Sequence, residues 1–83
     1  MVIPRPPAQR SALGALVGKL MHDKGYRLFD LAVALGIDYT GLNNRLRGQT
    51  RWLLSETIVA ARFLDVPVKL LADEAEKDIA ENE

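Results

Sequence analysis

Residues 38–51 read Asp-Tyr-Thr-Gly-Leu-Asn-Asn-Arg-Leu-Arg-Gly-Gln-Thr-Arg, and from Tyr39 through Thr50 no acidic side chain occurs. Hydroxyls, two adjacent carboxamides and three guanidiniums in so short a run suit hydrogen bonding and contact with negative charge. An asparagine amide can donate to and accept from one adenine edge, and a threonine can bond a base or set its methyl on that of thymine. An arginine fork fits a phosphate or a guanine edge. Covalent chemistry has far less to work with. The chain has no cysteine and one histidine, His22, and it lacks a Ser/His/Asp set, an HExxH pair and a glycine-rich phosphate cradle. No enzyme activity, cofactor, small-molecule substrate or metal site is expected, and His22 reads as a surface residue.

The polar run must be held by something, and the apolar spacing on either side says what. Leu13, Leu16, Val17, Leu20 and Met21 recur at three- and four-residue intervals after Ser11, a good cap. They predict a helix over about 11–24, stopped by Gly25. Gly14 and Gly18 weaken that helix and point to a close approach by another. Leu28, Leu31, Ala32 and Leu35 make a second, shorter stripe ending at Gly36. Asp38 caps a third helix that ends at Gly48, and 49–53 is a loop. Leu54, Ile58, Ala61 and Leu64 form a fourth stripe, starting at Leu54 or after Ser55. Pro67 opens a fifth helix carrying Val68, Leu71, Ala72, Ala75 and Ile79. No run alternates as a strand would. The fold class is all-α, a compact five-helix bundle.

The second and third helices are joined by a very short turn. Ala32 is small where two helices cross closely, Gly36 tolerates positive φ, Ile37 plugs the turn, and Leu42 anchors the third helix. At about 100° per residue, burying Leu42 and Leu46 turns Thr40, Gly41, Asn44 and Arg47 outward, with Asn43 and Arg45 on the flanks. Tyr39 is either a base contact or a partly buried cap on the helix. Trp52 is expected to pack over the 49–53 loop.

These residues carry a resemblance. Leu31-Ala32, Leu35-Gly36-Ile37, Leu42, Gly48, Ala61, residues 64–66 and Leu71 resemble the Cro/lambda-repressor-type (XRE family) helix-turn-helix domains over about 11–72. The resemblance implies a sequence-specific, double-stranded-DNA-binding transcriptional regulator, a Cro-like or phage-type repressor, that reads the major groove with its third helix. It also implies a homodimer on a palindromic operator. Base-contact candidates are Tyr39, Thr40, Asn43 and Asn44. Backbone candidates are Arg45, Arg47, Gln49, Thr50 and Arg51. Ala32, Gly36, Ile37, Leu42 and Leu46 hold the turn. Two positions depart from the family pattern: Arg45 stands where an apolar residue is usual, and Leu28 where a glutamine often opens the second helix.

Bulk composition is consistent with this. The 83 residues have zero formal net charge, yet 1–71 hold ten Lys/Arg against five Asp/Glu, while 72–83 hold one against six. A body of +5 suits a polyanion. Three regions are expected: a Pro/Arg-rich arm over 1–10, a DNA-binding domain over 11–72, and an acidic helical extension or tail over 73–83 whose last turn frays. The arm reads as neither a secretory signal nor a span, and the absence of cysteine fits a cytoplasmic location. The rival reading is an antitoxin-like or regulator-binding module acting through the C-terminal extension.

Overall fold

The computed structural model describes residues 11–81; the expected arm over 1–10, with Arg5 and Arg10, lies outside them. Five helices follow in order: α1 (Ala12–Lys24), α2 (Leu28–Leu35), α3 (Tyr39–Leu46), α4 (Leu54–Leu64) and α5 (Val68–Glu81). Their ends follow local chemistry. Ser11 Oγ accepts the Gly14 amide at 2.9 Å, and the Asp38 carboxylate accepts that of Gly41 at 2.7 Å, each relieving an orphan donor of a first turn. Gly25 and Gly36 close α1 and α2 at φ 70° and 74°, a region that costs other residues about 1–2 kcal/mol. Asp65 takes the same conformation at φ 59° to end α4.

The helices bury one shared core of Leu13, Val17, Met21, Leu31, Ala32, Leu42, Ala60, Ala61, Leu64 and Leu71. Truncating one of its buried leucines to alanine costs about 2–5 kcal/mol. Helix α1 lies against α3 and α5, and α2 against α3 and α4. Gly14 explains one of these contacts. A Cβ there would stand 2.8 Å from the Leu46 carbonyl carbon and closer still to its oxygen, so α1 meets the α3 backbone directly. Gly18 was expected to mark a similar approach, but a Cβ there meets nothing within 4 Å.

Two further expectations need correction. Leu54 does not lie on the buried stripe of α4; it is 72% exposed, while Glu56 and Thr57 are buried. Both polar groups are satisfied where they sit, Thr57 by donating to the Leu53 carbonyl at 3.1 Å and Glu56 as described below, so burial carries no orphan penalty. Ile79, expected either to pack back on α1 or to form a self-association surface, is 55% exposed, which speaks against the first of these alone. Helix α5 itself runs unbroken across residue 72, and Ala75 packs on the core. No helix among the described residues is long and apolar enough to cross a membrane.

Candidate nucleic-acid interface

The turn between α2 and α3 is residues 36–38. The Ile37 amide donates to the Ala32 carbonyl at 3.1 Å and that of Gly36 to Val33 at 3.0 Å, so the chain reverses while its backbone groups stay paired. Ala32 is 2% exposed and Leu42 is fully buried, with Ile37 and Leu46 packed beside them. This fixes which way α3 faces. Thr40 and Arg47 are exposed, Tyr39 is 49% exposed, and Asn43 and Asn44 are partly covered.

The two asparagine side chains form no hydrogen bond among the described residues. Since no buried side-chain nitrogen or oxygen there lacks a partner, their amides are not sealed off from solvent. The Asn44 carbonyl accepts the amides of Gln49 and Thr50, at 2.8 and 3.2 Å. These bonds fold the 49–51 loop back onto the end of α3, where Gln49, Thr50 and Arg51 are exposed. Arg47 and Arg51 take part in none of the ion pairs among the described residues. Tyr39, Thr40, Asn43, Asn44, Arg47, Gln49, Thr50 and Arg51 thus lie along α3 and its following loop.

Arg45 does not belong with them. Its Nε donates to the Glu56 carboxylate at 2.8 Å and its Nη1 to the Gly41 carbonyl at 2.9 Å. The Arg45 and Glu56 side chains are only 14% and 8% exposed. A guanidinium so held is removed from phosphate contact; it ties α3 to the start of α4. The site is interior, and Glu56 makes the charge of Arg45 tolerable there. Gly41, expected to face outward, is instead part of this joint. A Cβ on it would stand 2.8 Å from the Asp38 carboxylate and 3.3 Å from Arg45 Nη1.

Glu56 has a second bond, from the Leu53 amide at 2.9 Å, so one carboxylate both caps α4 and pairs with Arg45. Burial pushes its carboxyl up, but the Arg45 hydrogen bond, the Leu53 amide and the Arg45 charge together outweigh that and hold it below its ordinary value. Trp52 completes the joint by donating its indole N–H to the Arg45 carbonyl at 3.1 Å, which gives the end of α3 a partner beyond its own helix.

Where α5 meets the start of α1, Asp78 closes the bundle, lining one cleft with Trp52. Its carboxylate accepts from Ser11 Oγ at 2.8 Å, from the Leu13 amide at 3.2 Å and from the Ala12 amide. Sequence reasoning placed Asp78 in an acidic tail and missed this role. The signal available was an uncapped surplus of amide donors at α1 and a lone pair-rich side chain on an apolar stripe far along the chain. Comparison of the chain with protein-family models, with curated proteins and with solved structures finds no match.

Proposed function

We propose that this protein binds double-stranded DNA through α3, as a transcriptional regulator resembling the Cro/lambda-repressor helix-turn-helix domains. One observation carries the reading: α3 and its loop present amides and hydroxyls that form no side-chain hydrogen bond among the described residues, with Arg47 and Arg51, which form no ion pair among them, alongside. The cation that would crowd them, Arg45, is withdrawn into the protein. Thr40, Asn43 and Asn44 are then the base-reading set, with Tyr39 beside them at the helix start. Arg47, Gln49, Thr50 and Arg51 meet phosphate and set register. One such helix covers few base pairs, so specific binding calls for two copies on a palindromic site. The rival reading, a protein partner bound through the C-terminal extension, has less to support it, because Ala75 packs on the core and Asp78 is engaged with α1.

The test is selection of bound duplexes from a random pool, followed by titration of the selected site at several salt concentrations. Affinity should fall steeply with salt. Asn44→Ala should cost about 1–3 kcal/mol on the selected site and flatten the preference at one base pair. Arg47→Ala should weaken all sequences alike and lower the salt slope by about one. Failure to shift any duplex at low ionic strength overturns the proposal.

A further inference from the structure

The start of α1, the later turns of α5 and the loop after α3 border an open cleft of about 140 Å³. Leu13, Trp52, Ala75 and Ile79 supply its apolar lining, and Thr50 and Arg51 stand beside them. The charges at the cleft differ in availability. Asp78 also lines it, but its carboxylate is committed to Ser11 and the first amides of α1. Arg51 is exposed and forms no ion pair among the described residues. Arg51 is therefore the charged group at the cleft that has no partner among the described residues. The indole of Trp52 is fixed by its bond to the Arg45 carbonyl, and Ile79 leaves apolar surface uncovered. Volume suggests the occupant: a cavity of about 150 Å³ holds one benzene ring, so the part of a ligand seated in the cleft is matched by a single ring.

We propose that this cleft binds a small carboxylate bearing a single ring, with the ring against Trp52 and Ile79 and the carboxylate on Arg51. Arg51 is also a candidate phosphate contact, so the bound carboxylate neutralises a group that DNA would use. Ligand and DNA then oppose one another by linkage. That consequence rests on the DNA-binding reading, whereas the ligand site does not.

Trp52 is the only tryptophan, so its emission reports on the cleft in the unaltered full chain. Benzoate is the probe, with benzyl alcohol as the uncharged ring and acetate as the charge without a ring. Benzoate should give a saturable change below about 10 mM, with both controls at least about fivefold weaker. Arg51→Ala should weaken benzoate about tenfold and leave benzyl alcohol unchanged, with circular dichroism confirming the fold. A response that never saturates, or one that survives Arg51→Ala undiminished, overturns the site. In the second arm, benzoate is added to the DNA complex at constant ionic strength and should lower DNA affinity. Unchanged affinity at saturating benzoate overturns the competition at Arg51. Saturable benzoate binding by a chain that holds no duplex supports the cleft and sinks the DNA reading; DNA binding with no benzoate response does the reverse.

Discussion

Asp38, Glu56 and Asp78 each cap a helix with a carboxylate, and the last two do so in opposite ways. Glu56 is local: it bonds the Leu53 amide three residues back and pairs with Arg45 on the neighbouring helix. Asp78 is remote: it reaches the start of α1 from more than sixty residues away and, among the described residues, meets no cation, only a hydroxyl and two amides. The first orients α3 within the bundle. The second joins the two ends of the helical unit. A buried ion pair is costly to break from one side, since the survivor is left desolvated, whereas an amide-bound carboxylate leaves behind neutral groups that water can reach. The difference places the greater sensitivity at the joint that sets the pose of α3.

The largest effect should therefore come from Glu56→Ala. It leaves Arg45 buried and α4 uncapped, and about 3–5 kcal/mol should be lost in urea unfolding. Replacing both partners together, Arg45→Met with Glu56→Leu, should recover most of that. A single-variant cost below about 1 kcal/mol would mean the pair is solvated. The same carboxyl fixes an acid limb. Its folded pKa is depressed, so its contribution is fully present above the unfolded value near 4.5 and fades as pH falls through the folded one. Glu56→Gln should abolish that part of the acid sensitivity.

Next in size is Gly14→Ala, which drives a methyl into the Leu46 backbone and should cost about 3 kcal/mol. Because the contact is with α3, DNA affinity should fall in variants that still fold; full stability would show that α1 and α3 can part cheaply. Asp78→Ala should cost less, about 1–2 kcal/mol. Loss of hydrogen-exchange protection should be confined to the amides of Ala12 and Leu13, and global loss of protection would contradict a purely terminal joint. Smallest is Gly18→Ala. With open space around the new methyl, it should stabilise by about 0.4–1 kcal/mol, measured as a rise in Tm.

Much of this architecture was legible from spacing, because its determinants are local. Ser11, Asp38, Gly25 and Gly36 act on backbone within a few residues of themselves, and each terminates a helix where expected. Leu42 shows the same for the core. What stayed hidden depends on pairs distant in sequence. Nothing in the pattern near Arg45 reveals that a carboxylate eleven residues later will neutralise it, so it looked like one more phosphate contact. The apolar stripe through Leu54 failed for a related reason: with Glu56 and Thr57 satisfied by Leu53, the start of α4 could bury polar residues and leave a leucine outside. Gly14 and Gly18 are indistinguishable in sequence, and only the position of α3 separates a required glycine from a replaceable one. The exposure of Thr40 and Arg47 on α3 could be read because each needed only the helix phase.

The bond between Ser11 and Asp78 has a practical consequence for anyone cutting or extending this chain. The helical unit is entered and left at one corner, so a short linker from residue 81 back to residue 11 spans little distance, and new ends can be opened at the 25–27 turn. That same corner borders Thr50 and Arg51. Cargo joined directly at residue 11 or residue 81 is set down beside the loop, whereas cargo carried by a permuted chain at 25–27 is anchored at the junction of α1 and α2 instead.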